Sequence, residues 1–403
     1  MSTKVGYVLK VFPRVSETFV INEIRAHEEA GRAVEVFSLH ANPKPVRHRI
    51  LEGLRAVPRT MDDVPPDEED VRVARKTLMK KLGLRAHERD RFLPRKYVRL
   101  ALAVARAAQE TGVEHLHAHF ASRAGHVAVL AGLLAEVPAS ITGHAKDLYH
   151  DEVDRDLLRW KIDRSAFFVT VTDYNLHFLR GLVGSTPGVA GRIVRIYNGI
   201  DLARFDDGAR VPSEPPLIHA VGRLIEKKGF GDLLTACRLL LDRGQRFRCA
   251  IQGDGELRAE LERRAAETGL AEVVRFEGSV ASEEVAERLR SASISVLPCV
   301  RGADGNVDAL PTVLLEAIAT GVPVVSTRLS GIPEIVVDRV NGLLVEPGDA
   351  VGLADNIELL LHEPEFALHM GQRGRTRCEQ LFDLHRNAAR LGELFDRGID
   401  GAG

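Results

Sequence analysis

The stretch Pro298–Val325, PCVRGADGNVDALPTVLLEAIATGVPVV, decides how this chain is read. A short strand-like run, Ile294–Leu297, leads into it, and Val322–Ser326 closes it with another. Between them lies a loop with two glycines and Asp304, Asn306 and Asp308, then a segment of helical period that begins near Pro311–Thr312. Strand, loop, helix and strand make one parallel unit. The first turn of such a helix has backbone N–H groups with no intrahelical acceptor and sits at the positive end of the helix dipole. Leu310, Pro311, Thr312 and Val313 therefore make a place suited to a diphosphate. Glu316, one turn beyond Thr312, offers a carboxylate to vicinal hydroxyls such as those of a ribose.

Outward from this stretch the same rhythm of Val- and Ile-rich runs and helical segments repeats. Strands are expected at Val5–Leu9, Val34–Leu39, Leu116–Phe120, Ala139–Thr142, Phe167–Val171 and Ile193–Tyr197. A second series is expected at Leu217–Val221, Arg248–Gln252, Val273–Phe276, Ile294–Leu297, Val322–Ser326 and Gly342–Val345. Asn198–Gly199–Ile200–Asp201 and the turn-rich connector with Asp206, Asp207, Gly208, Pro212, Pro215 and Pro216 separate the two series. The expected organisation is α/β, with doubly wound parallel sheets in residues 1–200 and 201–380 and a last helical piece in 381–403. In open sheets of this kind ligands bind outside the carboxyl ends of the strands, so function belongs on loops facing a cleft.

A chain of 403 residues is longer than one core usually grows, which agrees with two domains. The net charge of −2 gives no global attraction to nucleic acid, and none is expected as a partner. Cys237, Cys249, Cys299 and Cys378 lack the paired spacing of a zinc or redox motif, which suits a reducing, cytoplasmic setting. The amino terminus runs into a strand without a secretory signal, and no apolar run approaches the roughly 20 residues that span a bilayer.

One region, about 66–100, interrupts the rhythm as a basic helical insertion. From Val71 to Leu100 it carries Arg72, Arg75, Lys76, Lys80, Lys81, Arg85, Arg89, Arg91, Arg95, Lys96 and Arg99 against Glu88 and Asp90. It reads either as a solvated helix or as a peripheral contact with an anionic membrane surface or lipid pyrophosphate.

Two further loops follow strands of the second series. Gly222-Arg223-Leu224-Ile225-Glu226-Lys227-Lys228-Gly229 sets Arg223, a planar fork, and Lys228, a point charge, at a strand's carboxyl end. They suit a leaving diphosphate and would stabilise it electrostatically without a metal ion. Gly253 in Ile251–Leu257 and Gly278 in Phe276–Val280 either let the backbone approach a ligand or serve tight strand-to-helix turns. Gly253-Asp254-Gly255 lacks the third glycine of a dinucleotide fingerprint, so no redox cofactor is expected.

Asp308, seven intervening residues and then Glu316-Ala317-Ile318-Ala319-Thr320-Gly321-Val322-Pro323-Val324 resemble the signature of glycosyltransferase family 4. The Gly-Arg-Leu and Lys-Gly elements at Gly222–Gly229 resemble the same family's phosphate-binding pair. The resemblance implies a GT-B fold, two Rossmann-like domains facing across a cleft, and a nucleotide diphosphate sugar as donor. It places Glu316 on the donor ribose and Asp308 toward the transferred sugar, with aspartate where many members have glutamate. Aspartate there, and Phe12-Pro13-Arg14-Val15-Ser16-Glu17-Thr18-Phe19, look like the colanic acid and exopolysaccharide branch.

The first domain is expected to supply the acceptor side, for a saccharide or lipid-linked acceptor. Ser16 and Thr18 either cap the following helix or, with Glu17, meet the acceptor. His115, His117 and His119 alternate and so share one face of a strand, His119 being placed on the acceptor side. No further ligand pair is in view to complete a zinc shell, and no metal is expected. His144, after a strand and a glycine, resembles the family's cleft histidine that hydrogen-bonds the donor sugar, and Asp147 orients it or the acceptor.

The family mechanism implied is attack by an acceptor hydroxyl on the face the phosphate leaves, with a phosphate oxygen taking the proton, which retains anomeric configuration. GT-B proteins send a last helix back to the first domain, and a hinge is expected near Asn198–Asp201. The rivals are a GT-B epimerase or phosphorylase and a non-catalytic partner of an assembly complex, whose mark would be loss of the cations or carboxylates.

Overall fold

The computed structural model describes residues 2–14, 17–43, 51–63, 65–184, 188–205, 210–280 and 282–397. Contacts divide the described parts into two units: Met1–Leu148, Glu152–Gly199 and Leu384–Gly403 form the first, Tyr149–Asp151 and Ile200–Asp383 the second.

The first unit is built on a seven-stranded sheet: β1 Val5–Val11, β2 Val34–His40, β3 Pro58–Thr60, β4 His115–His119, β5 Ala139–Gly143, β6 Phe168–Thr170 and β7 Ile193–Arg195. Its order is β3-β2-β1-β4-β5-β6-β7, every pairing parallel. The second unit carries β8 Leu217–Val221, β9 Arg248–Gln252, β10 Val274–Gly278, β11 Ile294–Leu297, β12 Val324–Thr327 and β13 Gly342–Val345. These run β10-β9-β8-β11-β12-β13, again all parallel. Both sheets are doubly wound, which makes the chain α/β as the sequence implies. Each reverses its order once, between β1 and β4 and between β8 and β11, and a crevice opens where strand order reverses.

Sheets covered by helices on both faces bury strands completely, so β5, β11, β12 and β13 are buried along their whole length. Four of the expected strands, β8, β9, β11 and β13, have the expected ends. Others move: β4 begins and ends one residue earlier, β6 is trimmed at both ends, β7 stops at Arg195, and β12 starts at Val324 and ends at Thr327. β3 was not expected. It is three residues long, opens on a proline and sits at the sheet edge, where a proline costs no ladder bond.

The basic segment is not one amphipathic helix. A helix Glu68–Leu82 stops because Gly83 takes φ 61°, and a second long helix starts only at Arg95. Most of its cations are already paired. Arg72 meets Glu69, Arg75 and Arg89 meet Asp90, Lys81 meets Glu136, Arg91 meets Asp154 and Asp156, and Arg95 and Arg99 share Glu68. Several of those carboxylates lie outside the window Val71–Leu100.

After Phe382 the chain re-enters the first unit as the helix Leu384–Arg397, which packs on the helix Thr18–Glu29. Its stripe Leu384, Ala388, Leu391, Leu394 and Phe395 recurs every three or four residues and is buried, each large side chain contributing about 1.5–3 kcal/mol. Arg32 clamps it by donating to both oxygens of Asp396, at 2.8 and 2.9 Å. That fork holds the Asp396 carboxyl down to about 2.

Candidate functional site

In the second unit the loops after β8 and β11 meet at the point where strand order reverses. A short turn, Glu226–Lys228, ends at Gly229 with φ 67° and lies so close to the next loop that a Cβ on Gly229 would stand 1.9 Å from the Pro298 carbonyl. Val300 N–H donates to Lys227 O and Ala303 N–H to Glu226, tying the two loops together. Both lysines converge on one carboxylate: Lys227 Nζ lies 2.7 Å from Asp308 Oδ1 and Lys228 Nζ 2.5 Å from Oδ2. Burial alone would push the Asp308 carboxyl up, but the two ammonium groups outweigh it and hold it well below the usual carboxylate range. Burial works against the Lys228 charge too, and Asp308 outweighs it, so that amine is held above its ordinary value.

Arg223 is exposed on the same loop and close enough to Lys228 to repel it. Lys227 escaped the sequence reading, which paired Arg223 with Lys228. Adjacent lysines look redundant in a sequence, and only the tight turn aims both at one acid. Cys299 Sγ lies 3.8 Å from Asp308 Oδ2, and burial with that carboxylate raises its thiol to about 12. It is a thiol, not a nucleophile.

The helix Thr312–Ala319 begins right after this loop, with Pro311 at its cap and no side chain capping its first N–H groups. Leu310 and Pro311 are buried, while Thr312 and Val313 are half-buried. Glu316 is half-buried on the same helix, and burial lifts its carboxyl to about 7 against the pull of Arg204. Arg204, on the short turn Leu202–Phe205 beside this helix, was also not singled out from the sequence.

The glycines serve the backbone. Gly253 has φ 136°, and a Cβ there would stand 1.9 Å from the Gly222 carbonyl. Gly222 N–H donates to Gln252 O, and Gly253 N–H to Gly278 O. Gly222, Gly253 and Gly278 thus lace the carboxyl ends of β8, β9 and β10 together, so close packing of loop on loop accounts for Gly253.

The first unit gathers imidazoles instead of charges at its own reversal point. His144 follows β5, and its Nε2 lies 3.1 Å from His119 Nδ1 at the end of β4, the two rings stacked at 5.4 Å. His119 Nε2 lies 3.0 Å from Glu23 Oε1, which also accepts from Tyr7 Oη at 2.7 Å. Phe19 and Phe120 flank His144 with centroids 4.8 and 4.6 Å away. Burial, and then His119, pushes the His144 imidazole well below its ordinary value, so it is neutral.

Two sequence expectations change here. His119 is 1% exposed and buried between His144 and Glu23, so it faces no acceptor directly; alternation along a strand tells which face a residue takes, not how deep it lies. Asp147 is buried as well, its carboxylate accepting from the backbone N–H groups of Ala121, His144 and Ala145. It orients His144 through the main chain and has no surface for an acceptor.

His115 and His117 share the Ser140 hydroxyl, and His117 also meets Thr142. The ligand atoms of Glu23, His117 and His119 do lie within 4.8 Å of one another, but His117 and His119 already have partners at both ring nitrogens. Glu17 sits at the helix cap without capping it and accepts from Arg14 at 2.7 Å, and Thr18 begins the helix without capping it. Ser16 lies outside the described residues.

The chain is similar to known glycosyltransferases in sequence and in fold. The pattern describing glycosyl transferases group 1 matches residues 204–377. The protein named colanic acid biosynthesis glycosyltransferase WcaL of Escherichia coli is 32% identical over 88% of this chain and 89% of its own. The amylovoran biosynthesis glycosyltransferase AmsK of Erwinia amylovora is 27% identical over 98% and 99%. Among solved structures, Anabaena HepE in complex with UDP and glucose superposes with a TM-score of 0.75 at 17% identity, covering 98% of this chain and 100% of that one. With the doubly wound sheet order of both units and this extent of identity, the chain belongs to the group 1 glycosyltransferases and has the GT-B fold.

Proposed function

We propose that the chain transfers a sugar from a nucleoside diphosphate sugar to a hydroxyl of a saccharide or lipid-linked acceptor, in exopolysaccharide, lipopolysaccharide or capsule assembly. Configuration at the anomeric carbon is retained and no metal ion takes part. The observation that carries this reading is the pairing of Lys227 and Lys228 with Asp308 at the reversal point of the second sheet. Arg223, Lys227 and Lys228 less Asp308 leave two positive charges, which match the two negative charges of a sugar-linked diphosphate. Such donors, held in place before the donor arrives, stabilise charge as it develops on the leaving group.

The donor lies on the second unit, its ribose on Glu316 and its phosphates on Arg223, Lys228 and the N–H groups at Thr312–Val313. As the bond from the sugar to phosphate breaks, the acceptor oxygen bonds to the same carbon on the same face and gives its proton to a phosphate oxygen. The acceptor is assigned to the first unit, with Glu17 and Thr18, and His144 meets a sugar hydroxyl there. The names of the relatives support a role in extracellular polysaccharide, and the UDP held by Anabaena HepE supports a nucleotide on this fold.

A panel of UDP and GDP sugars, scored first by thermal stabilisation and then by transfer without added metal, tests the proposal. Stabilisation by one nucleotide family and EDTA-resistant transfer are expected. A product formed with no acceptor would instead make the chain an epimerase, and no stabilisation by any nucleotide would end the proposal.

A further inference from the structure

Glu23 belongs to none of the assigned roles, yet it stands at the far end of a hydrogen-bonded line that finishes at His144. The atoms can be counted. Glu23 Oε1 accepts from Tyr7 Oη at 2.7 Å and lies 3.0 Å from His119 Nε2. An ionised carboxylate only accepts, so the proton between them sits on His119 Nε2. In a neutral imidazole the other nitrogen, Nδ1, is then an acceptor. It lies 3.1 Å from His144 Nε2, and two nitrogens at that distance share one proton, which His144 must supply.

His144 Nδ1 is thereby left without a proton, and it has no partner among the described residues. The residue is held in place by its neighbours. Phe19 and Phe120 pack on it, its N–H is held by Asp147, and its carbonyl accepts from Asn175.

We infer that Glu23 is a positioning residue: acting through His119, it fixes His144 as the tautomer whose bare Nδ1 accepts a hydrogen bond from a sugar hydroxyl. This inference rests on the proposed function, since a hydroxyl is what the site would receive. The alternative polarity needs a proton on both nitrogens of His119, which turns the line around and makes His144 Nδ1 a donor. Tyr7 from β1, Glu17, Glu23 and His27 from the first helix and its cap, His117 from β4 and His144 are the titratable groups facing His119. His27, His117 and His144 are kept neutral chiefly by burial, and Tyr7 keeps its proton for the same reason.

The full chain, labelled with nitrogen-15 histidine, gives the first test, with His144 assigned by comparison with His144→Asn. Long-range proton–nitrogen spectra at pH 7.5 should show Nε2 protonated and Nδ1 bare; a proton on Nδ1 overturns the inference. This reading is independent of any turnover, so it stands or falls separately from the proposed function.

Kinetics give the second. Glu23→Ala should lower kcat for transfer by about tenfold, the effect of one hydrogen bond in the transition state, with KM for the donor within about twofold. Glu23→Gln should restore most of kcat, because an amide oxygen still accepts from His119. Unchanged kcat in folded Glu23→Ala, or Glu23→Gln no better than the alanine variant, overturns it as well. Absence of transfer by the unsubstituted chain with every nucleotide sugar would instead count against the proposed function.

Discussion

The two units reverse strand order in the same way, β1 beside β4 and β8 beside β11, yet they fill the two crevices with opposite chemistry. The second unit places Lys227, Lys228 and Asp308 there, one carboxylate between two ammonium groups. The first places His119 and His144 there, with His144 neutral and a single carboxylate, Glu23, behind them. Topology thus supplies the location, and the residues at the strand ends decide whether ions or neutral imidazoles line it.

The largest effect should come from breaking the ionic side of this comparison. On the proposed function, Lys228→Ala removes an ammonium held ready for charge that grows as the diphosphate leaves, and such donors are typically worth about 10²–10³ in rate. Transfer should fall by that order in a chain whose circular dichroism is unchanged. Retention of activity would mean that the lysines serve Asp308 and nothing else.

Asp308→Asn should pull binding and chemistry apart. Asp308 holds both lysines, and on the proposed function it competes with phosphate for them. Its neutral replacement should tighten binding of free nucleoside diphosphate by about tenfold, the effect of removing one close, partly screened charge. Transfer should nonetheless fall, because the carboxylate that the resemblance places toward the sugar is gone. Calorimetric titration beside a transfer assay separates the two, and weaker nucleotide binding would contradict the competition.

How much of this was legible from residues alone follows the physics. β8, β9, β11 and β13 could be bounded because nearly continuous burial leaves a mostly apolar run between turn residues. β3 could not, since three residues opening on a proline have no period. Asp308 and Glu316 stood out through their spacing along one loop and the helix after it, and Lys228 through the Gly-Arg-Leu and Lys-Gly elements after β8. Glu23 did not, because a glutamate in mid-helix usually faces water, and what makes it matter is His119, 96 residues away. The basic segment looked unpaired because most of its partners lie outside Val71–Leu100: Glu68 and Glu69 just before it, on Arg95 and Arg72, and Glu136, Asp154 and Asp156 far beyond it, on Lys81 and Arg91.

The comparison also predicts opposite pH slopes in the two units. Glu316 holds its proton up to about 7 when folded, above its ordinary 4.5, so as pH rises through that window the second unit loses stability, and the loss is complete above 7. In the first unit burial lowers His27 to about 4 and His115 to about 3 from an ordinary 6.5. Their contribution is present above 6.5 and drains away as pH falls toward those values. Between pH 7 and 5, hydrogen-exchange protection, taken relative to the intrinsic rate at each pH, should therefore rise in peptides of the second unit and fall in those of the first. Glu316→Gln should remove the second unit's slope and raise its melting point at pH 8, by roughly 2–4 °C for each kcal/mol recovered. Parallel slopes in the two units would show that other groups dominate.

The smallest effect concerns the basic segment, which asks whether charge count or charge placement matters. Seven of its eleven cations already face carboxylates of the same chain. Exposed pairs of this kind contribute little to stability, but they do cancel the field that an anionic surface would feel. Lys76, Lys80, Arg85 and Lys96 are exposed, and no ion pair engages them among the described residues. If the chain touches an anionic membrane, these four carry the contact, at about 1 kcal/mol each near such a surface. Replacing all four by glutamine should abolish co-sedimentation with phosphatidylserine vesicles at low salt and leave nucleotide binding unchanged, because Lys227 and Lys228 belong to another unit. Vesicle binding that survives the fourfold change would take the segment out of the account. A loss of nucleotide binding would show that the field of the whole chain, and not the lysines at the end of β8, draws the donor.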